Sequence, residues 1–202
     1  VLIKMLQLVP RYCRVMRVMR EIPPEYIVAG TIHIDLRKDI EEELRKKKAN
    51  LKEIRYREIG FAMRDNREIN LDLKLKKTKY KASGGDEYFL EIVNKDDVLF
   101  GLLRLRIFKG QVTPKGVPSV RGDINTEGII REVHIYGQSL KLGEIGKIGQ
   151  HKGLGKWLIE EAEKIVKKSK IKKLSIISGI GVREYYEKLG YKLEDTYMVK
   201  EI

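Results

Sequence analysis

The sequence predicts a mixed α/β layer with a mostly antiparallel sheet, and three observations carry that expectation. Tyr88 to Val93 and Val98 to Phe108 are rich in β-branched, aromatic and other apolar residues, and the polar turn Asn94-Lys95-Asp96-Asp97 joins them as an antiparallel hairpin. Residues 153–170 place Leu154, Leu158, Ala162, Ile165 and Val166 on one apolar helix stripe. From the hairpin onward the elements run strand, helix, strand, helix, strand, the order of a layered α/β domain.

Each element has its own warrant. Leu2 to Leu8 suits a short helix ended by Pro10. Arg11, Arg14, Arg17 and Arg20 recur every third residue, a basic stripe if the segment is helical; Val15 and Val18 leave a strand open, and Pro23-Pro24 ends either one. Asp39 to Lys48 is a short helix with acids early and bases late, as the helix dipole prefers. Residues 52–60, KEIRYREIG, read as a strand, and residues 71–81, LDLKLKKTKYK, alternate as a half-buried strand does. Ser83-Gly84-Gly85-Asp86 is the clearest break and marks a domain boundary, although strands can pair across it. The glycine- and proline-rich stretch 109–127 is loop, residues 128–136 are a strand, and 137–149 are loop again. After the long helix come a strand at Leu174 to Ile177, a helix at Val182 to Leu189, and a final strand from Tyr191. Glu160–Lys164 and Glu163–Lys167 are at pairing distance along the long helix.

Composition narrows the function classes. With 202 residues the chain can bury a full core, and 42% hydrophobic with 35% charged residues excludes a disordered chain. No apolar run approaches a membrane span, so no membrane partner is expected. One cysteine, Cys13, excludes a disulfide framework or a multi-cysteine metal site and fits an intracellular, cytoplasmic setting. The first residue is Val1 rather than Met, as expected for a piece of a longer protein. Lys plus Arg number 42 against 29 acids, a net charge of +13 that suits a polyanion. Residues 1–81 hold 21 bases and 12 acids, residues 82–202 hold 21 and 17, so the excess lies mainly in the first part. The four spaced arginines read as phosphate contacts; the plainer reading is a solvated face.

The sharpest local motif is Gln150-His151-Lys152-Gly153-Leu154-Gly155-Lys156, which opens the strongest helix. Its glycines admit close backbone approach, and the free N–H groups of a helix start favour an anion such as pyrophosphate. It is neither a nucleotide P-loop nor the dinucleotide fingerprint, because the spacing and a third glycine are missing. Alone it is no more than a glycine-rich helix start.

Its setting gives it weight. With the strand at 129–136 before it and SGIGVREYYEKLGY (178–191) after it, the arrangement resembles the Gcn5-related N-acetyltransferase (GNAT) fold over residues 86–202. REVHIYGQ (131–138), QHKGLGKWLIEEAEKI (150–165), SIISGIGVREYYEKLGY (175–191) and YMVK (197–200) resemble one family, the catalytic subunit of Elongator, which joins radical-SAM and acetyltransferase chemistry on tRNA wobble uridine. RVMRVMREIPPEYIVAGTIHIDLR (14–37) is similar to the end of that family's radical-SAM domain, and IRYREIG (54–60) to its connector. The resemblance implies a basic α/β segment ending a radical-SAM domain over 1–50, a connector over 51–85 and a GNAT domain over 86–202.

The resemblance also implies roles. The backbone of Glu132, Val133, His134 and Ile135 would line the acetyl-CoA arm on a strand that bulges and splays. Gln150, His151, Lys152, Gly153, Leu154, Gly155 and Lys156 would take the pyrophosphate. Tyr186 would contact the thioester or sulfur, with Tyr185 beside it; aromatic packing is the plainer reading of the pair. Glu132 and His134 share one strand face and are candidate polarising groups; both also suit structural polar roles. The expected activity is acetyl-CoA-dependent carboxymethylation of the wobble uridine, with tRNA as partner and Arg11, Arg14, Arg17 and Arg20 on its phosphates. S-adenosylmethionine and a 4Fe–4S cluster would belong to the radical-SAM region absent from this chain. Leu51 and Tyr56 stand where connector cysteines for zinc are expected, so no metal is assigned. The alternatives are a protein lysine N-acetyltransferase with Glu132 as base, and an RNA-binding module with a degenerate cofactor site.

Overall fold

The computed structural model describes residues 1–19, 22–30, 36–47, 49, 51–82, 84–108, 128–136 and 153–202, which divide into the units Val1–Arg67 and Glu68–Ile202. In the first unit, helix α1 (Leu2–Leu8) ends at Val9, extended before Pro10, as the sequence indicates. Helix α2 (Leu36–Lys46) begins earlier than the charge pattern suggests. Leu6 of α1, Ile40 and Leu44 of α2, and Leu51 form one small core cluster of the unit.

Buried ion pairs supplement that core. Arg37 donates to Glu41 at 2.9 Å, to Glu53 at 2.7 Å and to the Val15 carbonyl at 2.7 Å. Glu53 in turn accepts the Arg55 N–H at 2.8 Å and so caps helix α3 (Ile54–Arg57). Helix α4 (Ile59–Arg64) follows directly. The strand expected over 52–60 is therefore two helical turns. The alternation there is misleading because Arg57 is buried, with its guanidinium turned back to the carbonyls of Lys52 at 2.7 Å and Arg11 at 3.0 Å. Residues 11–19 form neither helix nor strand, so Arg11, Arg14 and Arg17 make no helical stripe.

The second unit is one seven-stranded sheet in the order β1-β2-β3-β4-β5-β7-β6. Strands β1 (Lys74–Ala82), β2 (Gly85–Val93), β3 (Leu99–Phe108) and β4 (Gly128–Ile135) form an antiparallel meander. Across the break expected near Gly84, β1 and β2 pair, with Ala82 opposite Gly85 and Lys81 opposite Asp86. Asn94 shapes the next turn: its Oδ1 accepts the N–H groups of Asp96 and Val98, each at 3.0 Å. Five lysines mark the edge strand β1, which discourages further strand pairing.

Helix α5 (Leu154–Lys168) lies on β2, β3 and β4, burying Leu154, Leu158, Ile159, Ala162 and Val166. Its polar side pairs differently from the sequence expectation. Glu161 meets Lys164 at 2.6 Å and Lys77 of β1 at 2.7 Å. Glu163 leaves the helix surface to accept from Tyr191 at 2.8 Å and Lys200 at 2.9 Å, because the next strands bring those donors within reach. Strand β5 (Lys173–Ile177), a 3₁₀ turn, helix α6 (Arg183–Glu187), β6 (Lys192–Glu194) and β7 (Tyr197–Glu201) complete the unit. The single expected C-terminal strand is thus a β6–β7 hairpin, turned at Asp195 with a left-handed φ of 52°. No helix among the described residues is long and apolar enough to cross a membrane.

Leu158 is wholly buried between α5 and the sheet. Leu158→Ala is expected to cost about 3 kcal/mol of stability in denaturant unfolding, through lost burial and the cavity left behind.

Candidate functional site

The site begins with a strand that gives up a neighbour. β4 pairs with β5 in parallel only through Gly128, Ile129 and Ile130. Beyond them, among the described residues, it pairs with β3 alone, and the Glu132–Ile135 edge toward β5 has no strand partner there.

A β-bulge accompanies the departure. Arg104 of β3 faces Glu132 while Leu105 faces Ile130, so Arg131 is an extra residue in β4. The bulge changes which face each side chain takes. A β-carbon at Gly128 would lie 3.0 Å from Val166 of α5, so even-numbered positions face the helix before the bulge. After it Ile135 faces the helix, 2.7 Å from the β-carbon position of Gly101 and 3.8 Å from that of Gly155. Glu132 and His134 consequently share the opposite face. Glu132 accepts from Arg104 at 2.7 Å, and the exposed His134 ring lies 4.3 Å from that of Tyr136.

Helix α5 opens beside this splayed edge. Gly153 is its N-cap with a left-handed φ of 108°, a conformation that disfavours any side chain. The Gly153 carbonyl accepts the Trp157 N–H at 2.8 Å, and among the described residues no side chain caps the start. The N–H groups of Leu154, Gly155 and Lys156 therefore point out of the first turn, where no acid stands and Lys156 adds positive charge. Gln150, His151 and Lys152 lie outside the described residues.

Tyr185 closes the group. Its hydroxyl lies 2.9 Å from where a Gly155 β-carbon would be. The side chain is 40% exposed and borders exposed Ile180 and Val182 in sequence. Tyr186 is the inner member, 6% exposed, its ring edge-on to Tyr185 at 5.3 Å and to Tyr191 at 6.2 Å. The structure thus brings Tyr185, not Tyr186, to the helix start. Burial first, then the nearby Glu160 charge, raises the Tyr185 phenol above its ordinary value. Burial, followed by Tyr185, raises Tyr186, and burial, followed by Glu163, raises Tyr191 more strongly.

Among the expected phosphate-binding arginines, Arg14 pairs with Glu58, an acid distant in sequence, and Arg17 is exposed. Arg20 lies outside the described residues. Sequence reasoning missed Gly101, Arg104, Arg131 and Glu87; the acids at 87 and 91 inside the apolar run of β2 were the available signal. Among the described residues no three His, Cys, Asp or Glu side chains cluster as a metal site.

A meander feeding one short parallel pairing, with a splayed edge beside a glycine-opened helix, defines a Gcn5-related N-acetyltransferase fold. No family model matches the chain. It is 40% identical over 197 residues to the tRNA uridine(34) acetyltransferase of Dehalococcoides mccartyi, covering 96% of this chain and 42% of that protein. It is 34% identical over 200 residues to Elongator complex protein 3 of Homo sapiens, covering 98% of this chain and 36% of that protein. The structure of the archaeal Methanocaldococcus infernus Elp3 superposes with a TM-score of 0.81 at 32% identity, over all of this chain and 47% of that one. The chain belongs to the family of the Elongator catalytic subunit, Elongator complex protein 3. It spans about two fifths of the length of the curated relatives it matches.

The raised tyrosines predict an alkaline limit on stability. The folded phenols hold their protons above the unfolded value of about 10, so stability is full below that pH and falls as pH rises beyond it. Melting temperature should decline from pH 9 to pH 11, and the decline should be shallower in Tyr191→Phe.

Proposed function

We propose that this chain supplies the acetyl-CoA site of an enzyme that modifies the wobble uridine of tRNA, and that thioester hydrolysis there responds to bound tRNA. The observation that carries this reading is the splayed β4 edge beside the glycine-opened start of α5. A pantetheine arm is an extended chain of amides, and the edge residues Glu132 to Ile135 offer main-chain groups to pair with it. The N–H groups of Leu154, Gly155 and Lys156 suit the pyrophosphate, with Lys156 as counter-charge. Gln150, His151, Lys152 and Gly153 are assigned to the same pyrophosphate.

Tyr185 is assigned to the sulfur. Its raised phenol remains protonated at neutral pH and can donate to a departing thiolate. Tyr186 holds the Tyr185 ring from behind. The Glu132 carboxylate is engaged by Arg104, which speaks against it as the free base that a lysine acetyltransferase needs. His134 is the remaining candidate on that face.

The tRNA partner rests on the names of the relatives and on the net charge of +13. Arg11, Arg14, Arg17 and Arg20 are assigned to phosphates; Arg14 would have to exchange Glu58 for them. The donor set does not fit an iron–sulfur cluster, which takes several cysteine thiolates, because Cys13 is the chain's one cysteine. No step assigned to these residues passes through such a cluster.

The test is acetyl-CoA hydrolysis by the full-length protein, with and without tRNA, at two salt concentrations. Hydrolysis should require tRNA and weaken as salt rises. Tyr185→Phe should lower kcat about 100-fold with little change in the KM for acetyl-CoA, and Tyr186→Phe should lower it less. Hydrolysis indifferent to tRNA, or acetyl transfer to a lysine peptide, would overturn this reading.

A further inference from the structure

Behind the bulge lies a charged cluster that the proposed chemistry does not use. Glu87 of β2 is 1% exposed, on the face away from α5. One of its oxygens, Oε1, accepts both from Arg106 Nε of β3 and, at 2.8 Å, from Arg131 Nη1 of β4. The other oxygen, Oε2, is buried and accepts no hydrogen bond among the described residues. One carboxylate therefore ties three adjacent strands together, and its third tie is the extra residue of the bulge.

A buried ion pair is a poor device for stability, since desolvation offsets most of the attraction and an apolar set can pack as well. An unsatisfied buried oxygen makes the arrangement costlier still. What the pairing can give is specificity of register. Without the extra residue β4 would continue in phase, and Glu132 rather than Val133 and Ile135 would turn toward α5. The clamp on Arg131 favours the bulged register, in which Ile135 stands beside Gly155 and the Glu132–Ile135 edge has no strand partner toward β5 among the described residues.

We propose that Glu87 is a positioning residue for acetyl-CoA: through Arg131 it holds the β4 bulge, and with it the free edge that receives the pantetheine arm. This rests on the acetyl-CoA reading above. The role predicts a split between the two halves of the cofactor. The nucleotide half lies on the start of α5, which Glu87 does not touch, whereas the pantetheine half lies on the edge that Glu87 fixes.

The experiment measures calorimetric affinities of the full-length protein for acetyl-CoA and for 3′-phospho-ADP, which lacks the pantetheine arm. Glu87→Gln should weaken acetyl-CoA about tenfold, as loss of charge-assisted hydrogen bonds does, and leave 3′-phospho-ADP within about twofold. Arg131→Ala should give the same split. That side chain is 45% exposed and its removal leaves the Glu87–Arg106 pair in place, so it serves if Glu87→Gln fails to fold. Arg131→Lys should recover part of the loss. Equal weakening of both ligands, or no weakening of either, would overturn the positioning role. A wild-type protein that binds no acetyl-CoA would instead remove the reading on which the role rests.

Discussion

The parallel pairing of β4 with β5 lasts three residues, and most of what is distinctive in the second unit depends on its ending there. A longer pairing would satisfy the β4 backbone and close the sheet into a continuous layer. Among the described residues, the early parting leaves the Glu132–Ile135 main chain with no strand partner toward β5. The bulge at Arg131 sits at the parting and turns Ile135 toward α5. The helix must then start where the strands separate, which calls for a glycine N-cap with a left-handed φ and close backbone approach at Gly155.

Much of this was legible in the sequence where the determining contacts are local. The α5 stripe, the β2–β3 hairpin with its Asn94 turn, and the strand and helix that follow α5 come from spacing and turn chemistry. The glycine motif announced a helix start, and the structure puts Gly153 and Gly155 at that start, with Gly155 beside Ile135 of the splayed strand. Reading failed where distant groups decide. Residues 52–60 look like a strand until Arg57 is seen reaching back to two carbonyls and Glu53 capping the first turn. The phase of β4 cannot be read from its own residues, because the bulge is fixed by its pairing with β3.

Charge is distributed less simply than composition implies. Several cations of the basic first part are committed within the fold: Arg37 to Glu41 and Glu53, Arg14 to Glu58, Arg64 to Glu41. In the second unit Lys77 and Lys79 of the edge strand are paired with Glu161 and Asp86. The surface field that a polyanion meets is therefore set by the residual charge around these pairs and not by the number of bases in a segment. A salt-dependent interaction would draw on that field as a whole, with single arginines contributing unequally.

The Tyr185 hydroxyl occupies the place where a side chain at position 155 would begin. The two positions, thirty residues apart, are consequently not free to drift independently. An alanine at 155 has room only when the aromatic at 185 has been shortened or turned away, and a bulkier ring at 185 tightens the demand for glycine. Substitutions at this pair should show epistasis, each tolerable or harmful according to the other, so that related sequences change them together or not at all.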